Sequence, residues 1–233
     1  MGITIHRDFE QNSEEWYAAR NGILTASELK LIITAKTLKP ANNDKMRAHA
    51  FEIAAQRING PRLDEESYQS WAMMRGHEEE ELARNLYIEH FDNVEQVGFI
   101  TNDDHGFTLG YSPDGIVQDD GLIECKSRDA KFQVQTAHEY LTENKTPDDY
   151  FIQLQGGLMI SGRNWIDLLS YSNGMDMIVM RVERDPVIEE AILAAADVFE
   201  KQVAAAMDSY YTLKRNKSFR TIPTTYKKRE LIL

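Results

Sequence analysis

Hydrophobic and polar positions along this chain change period near residue 94, and that change divides it into regions of different structure. Between 13 and 36 the spacing predicts a helix in two pieces broken at Asn21-Gly22. Ser13 is placed as an N-cap, and Thr25-Ala26-Ser27-Glu28 opens the second piece. Met46, Phe51, Ile53, Ala54 and Ile58 mark a helix over 44–58, stopped by Asn59-Gly60-Pro61. A further helix is expected over 76–91. Runs at 94–100, 107–111, 115–118 and 121–126 then read as short strands between Asp-, Asn- and Gly-rich turns, with Gln118-Asp119-Asp120-Gly121 as a hairpin turn. A helix over 149–161 ending at Ser161-Gly162, one or two strands within 165–182 and a long helix over 186–213 complete the order. Strands bracketed by helices predict an α/β (α+β) domain, a sheet covered on its faces.

The chain has 233 residues, 42% hydrophobic and 27% charged, enough for one domain with a sizeable core. No linker divides it, so residues 1–213 are expected to form one domain. No run approaches the roughly 18 apolar residues of a membrane span, and 1–10 lacks the apolar stretch of a secretion signal, which points to the cytoplasm. The single cysteine, Cys125, excludes an internal disulfide and a cysteine-based zinc site. The net charge of −12 is unevenly spread. Residues 214–233 hold seven basic side chains against Glu230 alone, a tail of +6, leaving −18 on the rest. Such a tail contacts phosphate or an acidic partner, or is simply solvated.

Ser112-Pro113-Asp114-Gly115, followed after Ile123 by Glu124-Cys125-Lys126, carries the chemistry. Alternation along a strand puts Glu124 and Lys126 on one face and Cys125 on the other, and the hairpin returns Asp114 to their neighbourhood. Two carboxylates and an ammonium converging on one point suit metal-assisted phosphodiester cleavage: hard oxygens hold Mg²⁺, and the lysine orients or deprotonates the nucleophile. His77, His105 and His138 show no metal-ligand spacing, Cys125 reads as a small core residue, and Gly156-Gly157 as a site of close helix packing.

The pattern resembles the Pro-Asp…(Asp/Glu)-x-Lys motif of the restriction-endonuclease-like PD-(D/E)xK superfamily. Together with Trp16-x3-Arg20-x-Gly22-x2-Thr25-Ala26-Ser27, Arg75-Gly76-x3-Glu80-x2-Ala83-Arg84 and Tyr150-x2-Gln153-x-Gln155, it is similar over 16–171 to the phage lambda exonuclease family, the YqaJ-like viral recombinases. The resemblance implies a restriction-endonuclease-like core with a central mixed sheet. It implies that Asp114, Glu124 and the main-chain carbonyl of Cys125 bind metal, that Lys126 is the catalytic lysine, and that Glu80 helps hold a second ion. The cofactor would be Mg²⁺, with Mn²⁺ as a substitute. Glu79 is the alternative to Glu80, because on a helical wheel it lies mid-face with Leu82, Ala83, Leu86 and Tyr87 while Glu80 lies at the edge. Gln153 would position the water or the scissile phosphate, with Tyr150 one turn before it on the DNA. Arg20, Ser27 and Ser112 would form a pocket for a 5′-terminal phosphate, helped by free N–H groups of a helix starting near Ser27.

The activity implied is a Mg²⁺-dependent 5′-to-3′ exonuclease on double-stranded DNA ends that leaves a 3′ overhang for recombination. A homotrimeric ring would place basic side chains toward DNA and acidic ones outside, and a single-strand-annealing protein would be its partner, in a bacterial host with a phage or prophage source. The open alternatives are an endonuclease of the same fold and a non-catalytic DNA-end-binding module.

Overall fold

The computed structural model describes residues 2–61 and 71–226. The polypeptide opens with β1 (Ile3–His6) and α1 (Glu14–Arg20), whose N-cap Ser13 accepts the Trp16 N–H. Next come β2 (Leu24–Thr25), a 3-10 turn (Ala26–Glu28), α2 (Leu29–Ile32), the small hairpin β3 (Ile33–Thr34) with β4 (Lys39–Pro40), and α3 (Asp44–Asn59). The second helical piece expected over 25–36 is therefore one turn long. Isoleucines 32 and 33 are both buried, so the chain extends to keep the two side chains inside. Helix α3 stops where expected, at Gly60 with φ of +73°.

Helix α4 (Trp71–His90) begins five residues earlier than the expected 76. Its buried face is Glu79, Ala83, Arg84 and Tyr87, whereas Leu82 is 49% exposed. The apolar wheel centre was thus misplaced, because buried polar side chains occupy part of the contact face. Strands β5 (Phe99–Asn102), β6 (Leu109–Tyr111), β7 (Gly115–Val117) and β8 (Gly121–Ser127) follow, with β7 and β8 paired through the expected turn. Helix α5 (Ala130–Glu143), which was not expected although Asp129 and Asn144 bound it, and α6 (Asp148–Ser161) lead to β9 (Trp165–Tyr171), β10 (Ile178–Glu183) and α7 (Pro186–Arg215). Strands β8 and β9 are parallel, and parallel neighbours need a long crossover; α5 and α6 supply it.

Two four-stranded sheets result, ordered β1-β5-β6-β2 and β10-β9-β8-β7, tied by paired backbone bonds between Glu95 and Ile116. Strand β8 is buried on both faces. Leu122 joins the larger core, around α6, β9 and α7, while Ile123 and Cys125 join Ala83, Tyr87, Val117 and Leu169 beneath α4. Glu124 occupies the same alternating face as Leu122, one step nearer the strand's open end.

Helix α6 is apolar around most of its circumference and accordingly lies in the centre. A Cβ on Gly156 would stand 2.2 Å from Leu29 Cδ1, and one on Gly157 2.8 Å from Tyr111 Cζ; the close helix packing expected there is present. Among the described residues no helix is long and apolar enough to cross a membrane. Of the tail cations, Lys214 and Arg215 close α7, Lys217 and Arg220 are exposed, and Lys227, Lys228 and Arg229 lie outside the described residues.

Candidate active site

Four elements meet at the open end of β8. The strand contributes Glu124 and Lys126, the β6–β7 turn contributes Asp114, and α4 and α6 add Glu80 and Gln153 from outside the sheet. Glu124 is 3% exposed and fully engaged. Its Oε2 accepts the Tyr111 hydroxyl at 2.7 Å, and its Oε1 accepts Lys126 Nζ at 2.7 Å and Gln153 Nε2 at 2.5 Å. Asp114 Oδ2 accepts the Cys125 N–H at 2.5 Å, which fastens the turn to the strand. Arg84 braces the same turn from α4: Nε donates to the Asp114 carbonyl at 2.9 Å and Nη2 to Glu80 Oε1 at 2.5 Å.

The electrostatics follow from this crowding. Burial, then the charges of Glu124 and Glu80, hold the Asp114 carboxyl well above its ordinary range. Burial also raises Glu80; Arg84 opposes that shift and Glu124 adds to it. Burial pulls the Lys126 ammonium down, but Glu124 and Asp114 together more than offset it, and the group sits above its ordinary value. Lys126 therefore carries its positive charge beside these carboxylates. The Cys125 thiol is pushed up by burial and next by Asp114, as an inert core sulfur should be.

The structure also separates the two helix carboxylates. Glu80 shares its electrostatic environment with Asp114, Glu124 and Lys126, whereas Glu79 accepts the Ser127 hydroxyl at 2.5 Å and faces Arg75 at 4.0 Å. Among the described residues no three His, Cys, Asp or Glu side chains form a ready-made metal cage. The carboxylate oxygens are occupied instead by Arg84, Lys126, Gln153, Tyr111 and the Cys125 N–H. The donor chemistry nevertheless fits a hard divalent cation: three carboxylates beside a main-chain carbonyl, with mutual repulsion that added positive charge relieves.

A second cluster lies where α1 approaches the same turn. Ser112 Oγ accepts Trp16 Nε1 at 2.9 Å and Arg20 Nη1 at 3.0 Å, and the Arg20 guanidinium lies 4.3 Å from the Trp16 ring centre. Arg20 Nη2 reaches Thr25 Oγ1 at 3.4 Å, and Thr25 Oγ1 stands 3.3 Å from the exposed Ser27 Oγ. Arg20 thus contacts Ser112 directly and Ser27 through Thr25.

The helical start expected near Ser27 is there, with Thr25 as its N-cap, but the helix is short, a 3-10 turn that runs into the one turn of α2. The Glu28 carboxylate accepts the Thr25 N–H at 2.8 Å and its hydroxyl at 2.7 Å. Beyond Arg20 and Thr25 a cleft of about 470 Å³ continues past Glu28, Glu52 and Gln56.

Tyr150, one turn before Gln153 on α6, accepts Arg128 Nη1 at 2.9 Å and carries Lys126 Nζ 5.2 Å from its ring centre. His77, His105 and His138 are exposed. No sequence motif assigned a site role to Tyr111, Glu28 or Arg128. Tyr111 stands one residue before the Ser-Pro-Asp turn on a buried strand, but its partner Glu124 is 13 positions away, so no local spacing links them.

A model of the YqaJ-like viral recombinase domain matches residues 15–164, well over half of the chain. The crystal structure of an alkaline exonuclease from Laribacter hongkongensis, LHK-Exo, is 29% identical over 86% of this chain and 100% of its own, with a TM-score of 0.68. LHK-Exo in complex with dAMP gives 30% identity, the same coverage and a TM-score of 0.66. A phage related exonuclease from Haemophilus somnus 129PT shares the fold at 14% identity and a TM-score of 0.59, over 81% of this chain and 96% of its own. No curated protein matches the chain. The sequence motifs, the fold and these relatives agree: the chain belongs to the YqaJ-like viral recombinase family, of the lambda exonuclease type.

Proposed function

We propose that the chain is a Mg²⁺-dependent nuclease that enters at a double-stranded DNA end and degrades one strand 5′ to 3′, releasing 5′-mononucleotides and leaving a 3′ overhang. The observation that carries this reading is the convergence of Asp114, Glu124, Glu80, Lys126 and Gln153 at one strand end, beside a relative named as an exonuclease. That the relative was solved with dAMP, a nucleoside monophosphate, is in keeping with mononucleotide release.

Asp114, Glu124, Glu80 and the Cys125 carbonyl would hold one or two Mg²⁺ ions, with Mn²⁺ as a substitute. Bound there, the metal neutralises phosphate charge and lowers the pKa of water. The chain's own groups do the rest. The Lys126 cation offsets negative charge on the scissile phosphate, Gln153 orients the attacking water through its amide, and Tyr150 flanks the strand. Water adds to phosphorus, the P–O3′ bond breaks, a nucleotide leaves with a 3′-hydroxyl, and the shortened strand carries a new 5′-phosphate. Arg20, Ser27 and Ser112 hold that phosphate, the guanidinium fork matching its oxygens, so each cut regenerates the group the pocket recognises.

A homotrimeric ring, a single-strand-annealing partner and action in the cytoplasm of a phage-bearing host belong to the same reading. A ring with cations turned toward DNA is compatible with a net charge of −12.

The test is digestion of a linear duplex bearing a 5′-phosphate, with Mg²⁺ or EDTA, against a 5′-hydroxyl duplex and a closed circle. Mg²⁺-dependent loss of the phosphorylated strand with the circle spared supports the proposal. Cutting of the circle favours the endonuclease, and no digestion leaves an end-binding module. Light scattering at working concentration checks the trimer.

A further inference from the structure

Just past the catalytic motif, the residue after β8, Arg128, is a second cation with no ion-pair partner among the described residues. The neighbouring carboxylate, Asp129, is taken by Arg75 at 3.0 Å, so the nearest candidate counter-ion faces elsewhere. The guanidinium is held by neutral groups only. Its Nη1 donates to the Tyr150 hydroxyl at 2.9 Å, its Nη2 to Thr136 Oγ1 at 3.4 Å, and its carbon lies 5.3 Å from the Tyr150 ring centre and 5.2 Å from that of Phe132. The backbone N–H of Arg128 bonds to the Tyr171 carbonyl at 2.7 Å, which fixes the base of the side chain.

Its Nε is buried with no acceptor among the described residues. A buried donor without a partner is costly, and a flexible arginine free to choose would turn to an acceptor. Here two rings and a hydroxyl keep it in place. Beyond it Lys131 Nζ stands 4.5 Å from the exposed Phe132 ring centre, adding a second cation to the same strip.

We infer that Arg128, seated between Tyr150 and Phe132 and flanked by Lys131, is a binding site for a phosphodiester of the DNA backbone next to the scissile one, separate from the Arg20 pocket. A preset, uncompensated guanidinium fork beside aromatic faces is what recognition of a nucleic-acid backbone requires. Lys126 Nζ also lies 5.2 Å from the Tyr150 ring centre, so the catalytic cation and Arg128 share contact with one aromatic ring. The inference deepens the nuclease reading by assigning a further backbone contact, and it rests on that reading only for which phosphate is scissile.

The experiment is duplex-end binding by the full chain in EDTA, followed by fluorescence anisotropy over a salt series, so that no cleavage is needed. Arg128→Gln is expected to weaken binding roughly tenfold at moderate salt and to lower the slope of log affinity against log salt by about one, equally for 5′-phosphate and 5′-hydroxyl ends. Arg128→Lys is expected to keep the slope. An unchanged slope in a folded Arg128→Gln variant overturns the inference. Because that variant loses the contacts to Tyr150 and Thr136, the wild-type chain is also labelled with phenylglyoxal and its peptides weighed. Duplex is expected to protect Arg128, and equal labelling with and without duplex overturns the site. A chain that binds DNA with this slope but cuts nothing sinks the nuclease reading and leaves the site standing; full nuclease activity with no Arg128 effect does the reverse.

Discussion

The Tyr111 hydroxyl donates to Glu124 Oε2 at 2.7 Å, and both side chains are buried, at 2% and 3% exposure. This bond fixes one oxygen of the motif glutamate and leaves the other to Lys126 and Gln153. Tyr111→Phe removes the donor and strands a buried carboxylate oxygen. The expected loss is about 1–3 kcal/mol of stability, read by urea unfolding in EDTA. Activity should fall as well, since Glu124 is no longer aimed.

Gly157 and Gly156 provide a graded test of the packing behind that tyrosine. A methyl on Gly157 meets the Tyr111 ring at 2.8 Å, while one on Gly156 meets the movable end of Leu29. Both alanine variants should lose roughly 1–3 kcal/mol by overpacking. Only Gly157→Ala pushes the tyrosine that holds Glu124, so only it should lose nuclease activity beyond its loss of stability, measured below the unfolding transition.

Asp114 is crowded by the carboxylates of Glu124 and Glu80, and in the metal-free protein its pKa is raised. A carboxyl whose folded pKa exceeds its unfolded value, about 4, costs stability once pH rises through the folded value, and that cost is relieved as pH falls back toward the unfolded one. In EDTA, Asp114→Asn should therefore raise the melting temperature near neutral pH and flatten its dependence on pH. It should also abolish cleavage, a trade of function for stability. Equal melting of variant and wild type at neutral pH counts against the crowding.

Lys126 bonds Glu124 and carries positive charge in this arrangement. Lys126→Met should lower the rate of strand cutting by a factor on the order of 10² to 10⁴ while duplex-end binding in EDTA persists. Binding and cutting lost in equal measure point to a positioning role instead.

Arg20 and Ser112 meet at 3.0 Å. Arg20→Gln is expected to bring initiation on 5′-phosphate ends down to the level of 5′-hydroxyl ends and leave the latter nearly unchanged. A retained preference for phosphate would place that recognition elsewhere.

The amino-acid sequence by itself determined the order of strands β5 to β8 and of most helices, the hairpin that returns Asp114 to Glu124, and the shared face of Glu124 and Lys126. All three follow from local periodicity and turn chemistry, which act over a few residues. Cys125 in the core and the stops at Gly60 and Gly162 were legible for the same reason.

Tertiary structure decided the rest. Helix α5, between Asp129 and the left-handed Asn144, was not assigned from the sequence, and it forms part of the crossover that parallel β8 and β9 need. Four consecutive glutamates look alike in sequence, and only the approach of α4 to β8 gives Glu80 to the carboxylates and Glu79 to Ser127. The helix expected over 25–36 stops at Ile32 because Ile32 and Ile33 both had to be buried, and the Glu28 carboxylate caps its start by accepting the Thr25 N–H. Tyr111 on Glu124, Arg84 on the Asp114 turn and Arg128 between two rings join residues distant in the chain, and burial with donor and acceptor geometry, rather than spacing, selects such partners.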